Sequence, residues 1–205
     1  MTEKFLPRDS RRFEAALRRF DEENARDPNV ERVAGVAHPR ELTYAQWLTE
    51  WVLKLCPEAS EPLRLAARCQ HLCRWTIPRH SYPMTRAGYL RWRNDLKQFH
   101  ARKSAAMLRQ AGYGGEMIEK VMDLNLKKNF PAEAESRILE DALCLVFLEF
   151  QFADLARKTA ADKIINALQK TWRKMTPAAR ERAMSLPLGP EDKRLIQQAL
   201  QGVKE

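Results

Sequence analysis

Apolar residues recur along this chain at spacings of three and four, the period of helices with one buried face. In RRFEAALRRFDEEN, Phe13, Ala16, Leu17 and Phe20 fall on one side and charged residues on the other. Pro39 suits the first turn of a second helix, predicted to run to about Cys56, where Pro57 ends it. Ser60 and Pro62 open a third, predicted to reach about Trp75. TIPRHSYPM interrupts the pattern, because Pro78 and Pro83 remove donors and clash with the preceding turn. A long helix is predicted from about Thr85 to Gly112, then a GYGG turn, then a helix over 116–128. The most apolar stretch predicts one helix from about Ala132 to Lys158. Another precedes Thr176-Pro177, a cap followed by proline at the first helical position, and LPLGPEDKR repeats that punctuation before the last. DPNVERVAGVAHP reads as a loop or short irregular piece, and no stretch alternates with period 2 for long enough to predict a strand. The expected fold is all-α, with eight or nine helices in a single domain over residues 1–205.

Composition narrows the class. A chain of 205 residues with 44% hydrophobic content can bury one substantial core. Net charge is +9, from 36 basic and 27 acidic residues, which favours an anionic partner. The N-terminal MTEKFLPRDSRRF is charged and lacks the apolar region of a signal peptide. No apolar run approaches the ~20 residues of a membrane span. Cys56, Cys69, Cys73 and Cys144 are irregularly spaced, so reduced thiols and a cytoplasmic location are expected, with no membrane partner.

Three residues stand apart for their chemistry. Asp141, in ILEDALCLVFLEF, shares a helical face with Leu145, Leu148 and Phe152. A carboxylate there is costly unless it is paired or binds a metal. His71 lies roughly opposite the apolar stripe of its helix, and His100 lies at the edge of the face made by Trp92, Leu96, Phe99 and Met107. Between the two histidines, RWTIPRHSYPMTRAGYLRWRNDLK carries Arg74, Arg79, Arg86 and Arg93 with Trp75, Tyr89 and Trp92 interleaved. Guanidinium forks fit phosphate oxygens, and flat rings stack on bases. Lys127 and Lys128 in NLKKN are further phosphate-binding candidates. GYGG lacks the Lys-Ser/Thr of a phosphate loop, and no Cys or Ser nucleophile with a partner base is evident.

The segments LAARCQHLCRWTIPR, FHARKSAAMLRQAGY and ILEDALCLVFLE resemble, in order, three helices of the His-Asp phosphohydrolases. The resemblance covers about residues 40–157, with the helices of 160–205 packed on that core. It implies a divalent ion (Mn, Fe, Ni or Zn) held by His71, His100 and Asp141, with Gln46, Glu50 and Glu140 as weaker ligands. Two departures stand out. The aspartate that follows the first histidine in those enzymes is Leu72 here, and YAQWLTEWVL offers no upstream histidine. Three ligands suit a mononuclear metal rather than a bridged pair. More closely, FDEENARDPN, LRLAARCQHLCRW, YPMTRAGYLRWRNDLKQFHA, NLKKN, LEDALCLVFLE and KTWRKM are similar to the family called domain of unknown function 4202. That likeness brings no activity with it.

Three functions follow as expectations. The first is metal-dependent hydrolysis of a nucleotide or small phosphate ester, with Arg74, Arg79 and Arg86 neutralising phosphate. The second is a non-catalytic module of the same fold that binds a nucleotide or nucleic acid, RNA included. The third is a helical scaffold for an acidic protein.

Overall fold

The computed structural model describes residues 7–201, so the first residues of the charged N-terminal segment lie outside it. Among the described residues are ten α-helices and one two-stranded hairpin, so the chain is mostly helical. It divides into two compact units, Met1–Ser136 and Arg137–Glu205.

The first unit opens with α1 (Ser10–Asn24), capped by the Asp9 carboxylate, which accepts from the Arg12 N–H. A hairpin follows, β1 (Val30–Val33) paired antiparallel with β2 (Val36–Pro39), Val30 opposite Pro39. It corrects the expectation of an irregular piece without strands. Its two-residue turn puts Ala34 at φ 49° and Gly35 at φ 84°, the positive values that match the twist of paired strands. The alternation test misses it because neither strand buries a face, and Val30 and Val36 are both exposed.

Helix α2 (Arg40–Leu55) starts after Pro39, which has no side chain able to cap it. Asp27, upstream of the hairpin, takes that role by accepting from the Glu41 N–H at 3.0 Å. Helix α3 (Glu61–Cys69) has the expected start: Ser60 accepts from the Leu63 N–H, and Pro62 sits in the first turn. Its end is earlier than the predicted Trp75. The chain leaves the helix after Cys69 and passes through a left-handed Cys73 (φ 54°), whose N–H is taken by the buried Asn24 side chain at 3.0 Å. A short 3-10 turn, Arg74–Thr76, follows. Helices α4 (Arg86–Gln110) and α5 (Gly115–Leu126) complete this unit as predicted, to within a few residues. Helix α3 packs on α1, α2 and α5, and α4 packs on α5. Phe20, Leu48, Leu63, Leu65, Leu72, Leu96, Leu108 and Val121 fill the core between them.

The second unit begins within α6 (Ala134–Val146). The single helix expected to Lys158 is interrupted by a wider π turn over Phe147–Gln151, where the Phe152 N–H reaches back to the Phe147 carbonyl. This splits it into α6 and α7 (Phe152–Lys158) and accounts for the tenth helix. Helices α8 (Ala161–Lys174), α9 (Pro177–Met184) and α10 (Pro190–Gln201) follow, with α10 packed on α8 and α7. Among the described residues, no helix is long and apolar enough to cross a membrane.

Candidate functional site

Four elements of the first unit meet at one polar cluster. Glu41, in the first turn of α2, is in line with Ala45, Leu48 and Val52 and buried with them. Its Oε2 lies 3.4 Å from His71 Nδ1, and its Oε1 lies 3.8 Å from Arg74 Nε. The early end of α3 lets the chain turn there and bring both partners to it. Tyr44, one turn further along α2, stacks on the His71 ring, with centroids 4.1 Å apart and planes 16° apart. From α4 comes His100, its ring 5.8 Å from that of His71. His100 Nδ1 is 2.9 Å from the Leu72 carbonyl oxygen. A carbonyl only accepts, so Nδ1 carries the proton and Nε2 the lone pair.

The cluster has unusual charge states. Burial pushes the Glu41 carboxyl up to about 7, against the opposing pull of Arg74. Burial and the neighbouring His71 push His100 down to about 3. His71 is held well below its ordinary value by burial first, then by the positive charges of Arg74, Arg93 and Lys127. Both imidazoles are therefore neutral at physiological pH. The His71 side chain keeps 21% of its surface exposed, and that of Arg74 keeps 25%. Nδ1 of His71 faces Glu41, and among the described residues Nε2 has no hydrogen bond. The site is thus a partly exposed neutral imidazole with a carboxylate at Nδ1, a phenol ring stacked on it and Arg74 on the other carboxylate oxygen.

The residues expected from the sequence divide sharply. His71, His100 and Arg74 come together, and the charges of Arg93 and Lys127 act on His71. Arg79 is committed elsewhere. Its guanidinium donates to the carbonyls of Tyr82, Pro83 and Thr85 and lies about 6 Å from the Tyr89 and Trp92 rings. Trp92 also receives the Arg74 guanidinium on its face at 4.9 Å and donates its indole N–H to the Ile77 carbonyl. Trp75 is half-buried, Tyr89 is exposed, and Arg86 is exposed at the start of α4. Lys128 pairs with Asp123 at 2.5 Å, and both line a separate cavity of about 440 Å³ with Arg109, Tyr113, Ile118 and Met122.

Asp141 lies in the second unit and is buried, with Leu145, Leu148 and Phe152 buried on the same face. Both of its oxygens are used there. Oδ1 accepts from the Thr176 N–H at 2.9 Å, and Oδ2 accepts from the Thr176 hydroxyl at 2.5 Å. Thr176 in turn caps α9 through the Ala179 N–H, so the carboxylate anchors a helix start. Glu140 is buried with Lys174 at 3.1 Å, while Gln46 and Glu50 are exposed on α2. Among the described residues, no group of three or more His, Cys, Asp and Glu side chains is placed to hold a metal ion. His71 and His100 meet within the first unit, and Asp141 is engaged through Thr176 within the second. Glu41 is the member that sequence reasoning missed. The signal was the one that marked Asp141, a carboxylate at i, i+4, i+7 spacing with apolar residues, here disguised as an ordinary acidic first turn.

Fold and site together define a mostly helical chain whose first unit holds a buried glutamate, Glu41, against a half-buried histidine, His71. The chain belongs to the family described as Domain of unknown function (DUF4202), which matches residues 14–196. No curated protein and no solved structure matches the sequence. The likeness to His-Asp phosphohydrolases has no support from these comparisons.

Proposed function

We propose that the first unit binds a phosphorylated small molecule or nucleotide at the His71 face. The observation that carries this reading is Arg74, held between the Glu41 carboxylate at 3.8 Å and the face of Trp92 at 4.9 Å, beside an imidazole that burial first and the charges of Arg74, Arg93 and Lys127 second keep neutral. Among the described residues, the carboxylate within ion-pair distance of His71 is Glu41, which burial leaves about half protonated near pH 7. A half-neutralised Glu41 leaves part of the Arg74 charge for an anionic phosphate. The guanidinium of Arg74, braced by the Trp92 ring, offers a fixed fork for its oxygens. Tyr44 and His71 present a stacked pair beside it.

Calorimetry with adenosine monophosphate and with inorganic phosphate tests this directly. Each charge-assisted contact contributes about 1.5–3 kcal/mol, so Arg74→Ala should weaken binding roughly 10-fold or more. Lys127→Ala should act in the same direction, whereas Gln46→Ala should leave affinity unchanged. Equal affinity in wild type and in the combined Arg74→Ala, Lys127→Ala variant would remove the site. Turnover of a phosphate ester that appears only with added manganese or zinc would return the reaction to metal-dependent hydrolysis.

A further inference from the structure

We propose that His71 is a nucleophile, accepting a phosphoryl group on Nε2 from a phosphate monoester and passing it to water. The inference rests on the phosphate-binding reading above and adds a covalent step to it. Three independent placements carry it. The Glu41 carboxylate faces Nδ1 at 3.4 Å, so its ionised form draws the ring proton to Nδ1 and leaves the lone pair on Nε2. Stacking on Tyr44 fixes the plane of the ring, and the His71 side chain is partly exposed. Arg74, which meets the other oxygen of Glu41 at 3.8 Å, places a cation beside this ring for the phosphate. A nucleophile, a group that orients it and a set of charges for the phosphoryl oxygens are the three parts such a reaction needs.

The step balances without a redox partner. The Nε2 lone pair attacks phosphorus, the N–P bond forms, and the ester P–O bond breaks with its electron pair leaving on oxygen. That oxygen takes a proton from water and departs as the alcohol. The ring then carries a positive charge, which the ionised Glu41 offsets across the Nδ1–H. In the second half, water attacks phosphorus and the N–P pair returns to Nε2. Orthophosphate leaves, and the sum is ester plus water giving alcohol plus phosphate. Burial first, and the nearby cations second, keep His71 unprotonated, so its attacking lone pair needs no prior loss of a proton. His100 stays outside the covalent step, because its Nδ1 is committed to the Leu72 carbonyl and its Nε2 is buried.

The test uses the full chain with acetyl phosphate or phosphoramidate as small phosphoryl donors, followed by intact-mass and fragment mass spectrometry at neutral pH. One phosphoryl group on His71, lost on acid treatment, is the expected result. His71→Gln should abolish it. Glu41→Gln should slow labelling roughly 10-fold or more, and Glu41→Asp should restore part of the rate at matched thermal stability. Fragment localisation in the wild type decides the matter even if His71→Gln does not fold. Calorimetric binding of inorganic phosphate on the same sample separates the two readings. Phosphate binding without a label on His71, or a label placed on any other residue, overturns the nucleophile and leaves the binding site standing. Neither binding nor label removes both.

Discussion

At the scale of single residues, Glu41 is the group whose protonation the fold changes most usefully. Burial raises it to about 7 from its ordinary 4.5, with Arg74, His100 and Arg40 opposing the shift and Asp27 adding to it. The folded chain therefore holds a proton on Glu41 over a pH range in which the unfolded chain has released it. Stability contributed by this group is complete below about pH 4.5 and is lost as pH rises through 7. The linked loss is about 3 kcal/mol, from the size of the shift. His100 acts in the opposite sense. Its value is lowered to about 3, so its contribution is present above its ordinary 6.5 and is lost as pH falls toward 3. Urea unfolding of wild type and Glu41→Gln across pH 4.5 to 8 isolates the first effect, since His100 is common to both. The difference between them should move against the wild type by about 3 kcal/mol as pH rises. A difference that stays flat across that range would mean that Glu41 is not held protonated by the fold.

At the scale of elements, Gly88 sets the approach of the loop to α4. A Cβ at that position would lie 2.1 Å from the Pro83 carbonyl oxygen, which is backbone and cannot swing aside. Gly88 also gives its N–H to the Thr85 cap. Gly88→Ala should therefore cost about 1–3 kcal/mol by overpacking, despite the better helix propensity of alanine. Thermal unfolding measures it, and a variant as stable as wild type would show that the loop yields freely. The helices were legible in the sequence wherever they carry their own punctuation. Ser60 with Pro62 and Thr176 with Pro177 mark starts that the structure keeps. What could not be read depends on partners distant in sequence. The early end of α3 needs Asn24 to take the Cys73 N–H, and the start of α2 needs Asp27. The hairpin hid because its turn places alanine where asparagine or glycine is the usual signal. The site followed the same rule. The family resemblance set His71 and His100 in one proposed site, and their rings do lie 5.8 Å apart, whereas Glu41 became visible only once α2 and the turn after α3 were in place.

At the scale of the whole molecule, the net charge of +9 acts on every anion alike, whereas the proposed site at His71 would select one. Salt separates the two contributions. A nucleotide seated at a few partly buried cations should lose affinity only modestly between about 0.05 and 0.3 M salt. A single-stranded RNA tracking the surface would lose far more, with a log–log slope of about −0.7 for each phosphate contacted. A steep slope for adenosine monophosphate would place its binding on the diffuse surface charge rather than at His71. One further link reaches across the first unit. The backbone carrying His71 and Arg74 turns at Cys73, and that turn hangs from Asn24 on α1, a helix that gives the polar cluster none of its side chains. Asn24 works like the fixed pivot of a lever whose working end is the imidazole. Sequence drift on α1 would thus be felt at the polar cluster as misalignment of groups that are all still present, with no member of the cluster itself replaced.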